Sequence, residues 1–171
     1  MWKRVINGLF FISFIFYVGF VLWNILFKYV APWEVFDDGR ELFRGVNFIP
    51  FNDILNGNYN EMDVVGNVIL FVPLGIYMPM LFKKFSVYKN IGIIALVSIF
   101  FEVSQYVFSL GASDITDIIT NTAGGILGVG IYLVIKKIFK EDRKVKNFVA
   151  ICSTLVMIPV AFLLIVLFSY N

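Results

Sequence analysis

The sequence predicts an all-α membrane protein, a polytopic helical bundle of about five transmembrane helices with its N-terminus inside the cell and its C-terminus outside. Two observations lead to this prediction. The first is composition: 60% of the 171 residues are hydrophobic and the mean hydropathy is +0.86, values that lie above those of a soluble domain. The second is the uneven distribution of Lys and Arg between the connections, which favours one orientation in the membrane.

Five apolar stretches are each close to the roughly 20 residues that cross a bilayer core of about 30 Å at 1.5 Å per residue. The first follows Lys3 and Arg4, but its apolar run is longer than a signal-peptide core and no A-x-A site follows it. We therefore expect an uncleaved first span. The five stretches are residues 5–27, 64–82, 91–110, 115–135 and 148–169.

The basic residues orient these spans. Of the 14 Lys and Arg residues, 11 flank the N-terminus or lie in the connections between spans two and three and between spans four and five. The other three lie in the segment 28–63, and the connection between spans three and four has none. Since cytoplasmic loops carry the excess of Lys and Arg, the segment 28–63 is predicted to be external.

The external segment 28–63 is acidic and aromatic. It contains seven acidic residues against three basic ones, together with six aromatic residues from Tyr29 to Phe51. Aromatic rings favour the headgroup level of a membrane, so part of the segment is expected to lie along the interface. The tract 47–51 is predicted to return to the membrane surface, and 56–60 to form a turn before span two.

Polar side chains interrupt three of the spans near their external ends. An ionisable group at the centre of a membrane helix costs roughly 2.5–3.5 kcal/mol on insertion scales, so such groups usually mark a site or a packing interface. The predicted topology places all of them in the external half of the bilayer. The candidate ligand-binding residues are Asn67 in span two, Glu102 and Gln105 in span three, and Asp114, Asp117 and Asn121 at the start of span four.

Structural roles compete with binding at these positions. Asp114, or Ser113 before it, can cap the helix of span four by accepting from its first backbone amides. Glu102 has no such role in mid-helix: either it is protonated and hydrogen-bonded to Asp117 or Asn121, or it is charged beside a cation or a water-filled pocket. A purely structural polar contact between helices remains the alternative to a functional site.

Small residues and prolines predict how the spans pack. Pro73 in span two removes a helical hydrogen bond to Ile69 and bends the axis, and Gly75 follows it. In span four, small residues continue the face that carries Asp117 and Asn121, and such stretches let a neighbouring helix approach closely. The candidate packing residues are Pro73, Gly75, Gly124, Gly125 and Gly128.

The composition also limits the available chemistry. The chain has no histidine, which excludes histidine acid–base catalysis and disfavours an ordinary catalytic zinc site. The single Cys152 lies in an apolar run and allows no intrachain disulfide. No cofactor is expected and no catalytic residue is assigned, while a divalent cation held by oxygen ligands is left open.

Four motifs in order resemble the VanZ-like family, which is named for a teicoplanin-resistance membrane protein. They are Asn47-Phe48-Ile49-Pro50-Phe51, Asn67 to Gly75 with its Val-Pro-Leu-Gly end, Glu102-x-x-Gln105, and Asp114-x-x-Asp117-x-x-x-Asn121-x-x-Gly124 with Gly128. The chain departs from many members at Gly111-Ala112-Ser113, where an arginine often precedes the first aspartate, and at Thr116, often an acidic residue. The resemblance implies a multi-pass protein of the bacterial cytoplasmic membrane, linked to glycopeptide tolerance.

The resemblance and the spans together divide the chain into two parts. Residues 1–135 form the predicted VanZ-like membrane domain, with its external segment 28–63. Residues 136–171 form a basic cytoplasmic loop and an additional C-terminal transmembrane helix.

The sequence favours a binding or accessory protein of the cell envelope, whose outward-facing polar pocket engages a lipid-linked or lipid-tailed ligand. One alternative is a membrane enzyme acting on envelope lipid precursors through a carboxylate or divalent-metal site. The other is a small proton-coupled transporter using Glu102, disfavoured because polar residues do not continue to the cytoplasmic side. The expected partners are membrane lipids or a lipid-linked precursor and no nucleic acid, with a homo-oligomer left open.

Overall fold

The computed structural model describes residues 2–37, 39, 42–57 and 61–170. Within these residues five helices are long and apolar enough to cross a membrane, which confirms the predicted all-α class and the number of spans. These helices are α1 (Trp2–Leu26), α3 (Glu61–Leu81), α4 (Val87–Phe108), α5 (Ile115–Phe139) and α6 (Asp142–Tyr170). Between α1 and α3 lie a 3-10 turn (Pro32–Glu34), strand β1 (Phe43–Asn47) and the short helix α2 (Asn52–Leu55), while strand β2 (Leu110–Asp114) joins α4 to α5.

The helix ends differ from the predicted span ends by up to six residues. The third span was predicted to reach residue 110, but α4 ends at Phe108 because Ser109 adopts a left-handed conformation with φ 54°. The basic connection predicted after residue 135 is mostly helical, since α5 continues to Phe139 and α6 begins at Asp142. Lys and Arg are good helix formers, so charge alone did not end these helices.

The sequence did not predict the small parallel sheet formed by β1 and β2. In its register Asn47 lies opposite Asp114, and Gly45 lies opposite Ala112. A Cβ added at Gly45 would stand 3.2 Å from that of Ala112, so the two strands are in close contact there. The sheet joins the segment 28–63, which was predicted to be external, to the start of α5. Within that segment, Asp38, Glu41 and most of the predicted turn 56–60 lie outside the described residues.

Glycines bring α5 into contact with α3. A Cβ added at Gly124 would stand 2.1 Å from the carbonyl oxygen of Val68, and one at Gly128 would stand 2.0 Å from that of Val72. From the α3 side, a Cβ at Gly75 would stand 2.1 Å from the Gly125 carbonyl oxygen. Only hydrogen fits at these positions, as the predicted small-residue face requires. Pro73 lies inside α3, which continues as a helix on both sides of it.

The chain divides into two compact units. The first combines the helical residues up to Phe20 with the chain from Leu133 onward; in it the hydroxyls of Ser13 and Ser153 lie 2.9 Å apart, and the Lys146 ammonium lies 4.6 Å from the centre of the Phe10 ring. The second is Val21–Tyr132. It contains the sheet, α3, α4, most of α5 and every candidate binding residue.

Candidate binding site

The candidate residues lie on facing sides of α4 and α5. The space beside Gly125 is filled by Ile94, because an added Cβ would stand 2.5 Å from the Ile94 Cγ2 atom. One turn along each helix, the Asn121 Nδ2 donates to the Ser98 hydroxyl at 3.0 Å. One turn further, Glu102 and Asp117 lie close enough to interact electrostatically. The interface between α4 and α5 therefore contains three contacts in a row, each one helical turn from the next: first an apolar contact, then one made by an amide, then one between acidic residues.

Glu102 is buried at the end of this interface, with 2% of its surface exposed. Its Oε2 accepts from the backbone N–H of Asp114 at 2.7 Å, rather than from Asp117 or Asn121 as one interpretation of the sequence required. The side chain of Ser113 lies beside the same carboxyl group. Its other oxygen, Oε1, is buried and has no hydrogen-bond partner among the described residues. Glu102 therefore fixes the β2–α5 junction with one oxygen and retains an unused acceptor.

Asp114 serves as a helix cap and also as a link between segments. Its Oδ1 accepts from the Thr116 backbone N–H at 2.7 Å, which satisfies one of the unpaired amides that open α5. Its Oδ2 accepts from the Asn47 Nδ2 at 3.0 Å, across the end of the sheet. The capping role predicted from the sequence is therefore present, and the second oxygen connects the segment 28–63 to the same residue.

Lys28 adds a positive charge that the sequence had not assigned to this region. It follows α1 directly, and its ammonium donates to the Asp63 carboxylate at 2.5 Å. Asp117 is within electrostatic reach of both charges, and the side chain of Asn67 lies beside Asp117. Partial burial lowers the pKa of Lys28, but the hydrogen bond to Asp63 and the neighbouring Tyr29 outweigh it and raise that pKa above its ordinary value. Lys28 thus neutralises part of the acidic charge around Asp63 and Asp117.

Asn121 and Gln105 form hydrogen bonds to different helices. Asn121 is 1% exposed, and its Oδ1 is buried with no hydrogen-bond partner in the described part of the chain. Gln105 donates from its Nε2 to the Ile25 carbonyl oxygen at 2.9 Å, which satisfies one of the free carbonyls at the end of α1. Its Oε1 is also buried without a hydrogen-bond partner among the described residues. The structure therefore brings Asn67, Glu102, Asp114, Asp117 and Asn121 together through contacts between α3, α4, β2 and α5. Gln105 faces α1.

Three residues that sequence analysis missed complete the arrangement: Lys28, Asn47 and Ser98. Ser98 could have been found, because it precedes Glu102 by four residues and so shares its helix face. Lys28 gave no comparable signal, and the family motif that contains Asn47 named no partner for it. Their partners Asp63 and Asp114 are 35 and 67 positions away. Contacts at such separations depend on the fold and not on local spacing.

The chemistry of the site is dominated by acceptors. The buried atoms without a hydrogen-bond partner, among the described residues, include the Glu102 and Asn121 oxygens, with the Asn67 Nδ2 as a donor. The half-buried Asp117 carboxylate adds further acceptor capacity. Across the described ranges there is no group of three or more His, Cys, Asp or Glu residues that could hold a metal ion. The site is therefore suited to a group that donates hydrogen bonds.

The five apolar helices and the polar cluster between them define a multi-pass membrane protein. The family model described as VanZ/LLP1 matches residues 14–136. Protein VanZ from Enterococcus faecium is 35% identical to this chain over 116 residues, which cover 68% of each protein. The chain belongs to the VanZ/LLP1 family, as the motifs predicted. No solved structure matches it.

Proposed function

We propose that this protein acts in the bacterial cytoplasmic membrane as a binding or accessory protein of the cell envelope. Its N-terminus lies inside the cell and its C-terminus outside, so that the polar cluster faces outward. The cluster engages a lipid-linked or lipid-tailed ligand whose headgroup carries hydroxyl or amine groups. Through this ligand the protein contributes to tolerance of glycopeptides such as teicoplanin.

One observation supports a binding role above all: Glu102 and Asn121 each keep a buried acceptor oxygen without a partner among the described residues. A buried polar atom left without a hydrogen bond costs about 1–3 kcal/mol. A structural contact between helices would be expected to satisfy both atoms. A ligand that donates hydrogen bonds recovers this energy, and amine and hydroxyl groups are the donors that envelope lipids offer.

The surroundings of the cluster support a lipid tail on the ligand. Val103 and Val107 lie on α4 one and five positions after Glu102, and both are exposed. In a membrane these side chains contact acyl chains. A headgroup at Glu102 can therefore keep its tail in the bilayer along α4, without moving the apolar part of the ligand into water.

The family supports the link to glycopeptides. The region that matches the family model, residues 14–136, contains all the residues of the cluster and ends before α6 begins at Asp142. The similarity to Protein VanZ covers 116 residues, or 68% of this chain. We accordingly assign the tolerance function to this region and not to the C-terminal helix.

Lipid analysis of the purified protein tests the proposed ligand. The parent, Glu102→Gln and Asp117→Asn would be purified in nanodiscs from the same cells, with Glu141→Gln as the control because Glu141 is an exposed carboxylate on the α5–α6 connection. We expect mass spectrometry to find a lipid with an amine or hydroxyl headgroup enriched in the parent and the control and depleted in both site variants. The same lipid profile in all four proteins would contradict the proposal.

Cysteine labelling of intact cells tests the proposed orientation. In a Cys152→Ser background, a cysteine at Asp37 should react with a membrane-impermeant thiol reagent, whereas one at Glu141 should react only after the cells are opened. The reverse pattern would contradict the orientation while leaving the lipid experiment valid.

A further inference from the structure

Residues 47–55, which we name the interface segment, are fastened to the beginning of α5. The Asn47 Nδ2 donates to Asp114 at 3.0 Å, and the Phe51 backbone N–H donates to the Thr116 hydroxyl at 2.9 Å. Phe51 itself has φ 58°, a backbone conformation that residues other than glycine seldom adopt. Because α5 crosses the membrane and starts at Ile115, these two bonds hold the segment at the depth where the chain enters the bilayer.

The interface segment directs its apolar side chains away from the protein. Phe48 is 78% exposed, Ile49 is 58% exposed and Leu55 is 75% exposed, and Ile54 is also exposed. Single exposed apolar side chains are ordinary, but a group of them indicates an interaction surface. The segment also carries a polar side chain, Asn52, whose Oδ1 accepts from the Nδ2 of Asn56 just beyond its end at 3.0 Å.

We infer that the interface segment lies in the boundary between headgroups and acyl chains, in the leaflet on the side of Glu102, with phospholipid as its partner. Lipid fits better than a protein partner because the exposed surface continues onto α5, where Ile119 is exposed less than one turn beyond Thr116. An apolar face beside a polar one is the pattern of segments that lie in the plane of a membrane surface.

This placement connects the lipid surface to the candidate site through three hydrogen bonds. The Ile49 N–H donates to the Asn47 side chain, Asn47 donates to Asp114, and the Asp114 N–H donates to Glu102. The position of the interface segment in the lipid therefore bears on the position of the buried carboxyl group. The inference rests on the contacts and exposure of the segment, and it holds whether or not the cluster binds a ligand.

Site-directed spin labelling measures the depth of the segment. With Cys152 replaced by serine, a nitroxide would be attached to a single cysteine at Phe48 or Leu55, and the protein would be placed in vesicles of phosphatidylethanolamine and phosphatidylglycerol. Two reference positions calibrate the scale: Leu96, an exposed apolar residue in the middle of α4, and Glu141, an exposed acidic residue between α5 and α6.

The readout is the ratio of collision rates with oxygen, which concentrates in lipid, and with a water-soluble nickel chelate. We expect the ratio at Phe48 and at Leu55 to be severalfold higher than at Glu141 and to approach that at Leu96. A ratio at either position equal to that at Glu141 would overturn the inference. So would low collision rates with both reagents, which would indicate that protein covers the segment.

Discussion

The buried face of α5 has two halves that use the same neighbours differently. In the half nearer its start, polar side chains face α4, and Asn121 bonds to Ser98. In the following turns, Gly124 and Gly128 lie against backbone carbonyl oxygens of α3, and Gly125 lies against Ile94. The glycine half has no space for even one added carbon atom, whereas the polar half contains acceptor oxygens without partners among the described residues.

This difference between the two halves indicates which of them holds the helices together. Contact between helices in lipid comes from close van der Waals packing, and small residues provide it. In the polar half, buried oxygens of Glu102 and Asn121 have no hydrogen-bond partner among the described residues, although buried polar atoms are normally hydrogen-bonded. A role in stability alone therefore does not account for these residues. We propose that the glycine half is structural and that the polar half is available to a ligand.

The largest effect is expected from Gly128→Leu. A Cβ at this position would stand 2.0 Å from the Val72 carbonyl oxygen and 2.8 Å from the Gly75 Cα, atoms that can move only with the backbone of α3. Overpacking a core costs typically about 1–3 kcal/mol, and the rigid neighbours should place this variant at or beyond that range. We expect loss of a monodisperse peak in size-exclusion chromatography.

Gly130→Leu is the matched control, because Gly130 lies on the same helix and has nothing within 4 Å of an added Cβ. It should elute and melt as the parent does. Equal behaviour of the two variants would show that α3 and α5 are not packed through the glycine half.

A smaller effect is expected from Glu102→Ala. Removing the carboxyl group leaves the Asp114 backbone N–H without its acceptor, at a cost of roughly 1–3 kcal/mol. Glu102→Gln keeps an oxygen in place and should retain most of the stability. Thermal unfolding in detergent compares the two variants directly. Melting temperatures that do not differ between them would mean that the hydrogen bond to Asp114 does not stabilise the junction.

The smallest effect on stability is expected from Lys28→Gln. It forms an ion pair with Asp63 in which each of the two side chains is about one-third exposed. Exposed ion pairs contribute about 1 kcal/mol or less to the free energy of unfolding. The pKa of Lys28 is raised in the folded protein. The stabilisation that the charged Lys28 gives to the fold is therefore complete below pH 10.5, the ordinary pKa of lysine, and is lost as the pH rises through the pKa of the folded state. Lys84→Gln, an exposed lysine at the opposite end of α3, is the control. A loss of stability as large as that of Glu102→Ala would contradict this ranking.

Much of the fold was predictable because the membrane imposes a simple pattern. The lengths of the apolar stretches predicted the ends of the five spans to within a few residues, except that α6 starts six positions earlier than predicted. The parallel pair of β1 and β2 was not predictable, since Leu110–Asp114 has no alternating pattern and its partner strand lies 67 positions away. Strand pairing over that distance depends on tertiary contacts.

The candidate site was predictable in its members and not in its bonds. Glu102, Asp117 and Asn121 were predicted because polar side chains within a membrane span are energetically unfavourable and these lie at one predicted depth. Glu102 accepts from a backbone amide and Asn121 donates to the Ser98 hydroxyl, while Asp117 lies within electrostatic reach of Lys28. Of these contacts only the one to Ser98 could have been expected from spacing. Gln105 lies at i+3 from Glu102, yet its side chain serves the end of α1.

Paired carboxamide variants test the central claim, that the carboxylate groups of the polar half are needed for function, while their carboxamide isosteres suffice for stability. Glu102→Gln and Asp117→Asn would be expressed in a strain lacking the native gene, and teicoplanin susceptibility, membrane abundance and melting temperature would be measured for each, with Glu141→Gln as the control. We predict that both variants match the parent in abundance and melt within a few degrees of it, yet lose the tolerance that the parent and the control confer. Full tolerance in both variants at equal abundance would contradict the claim.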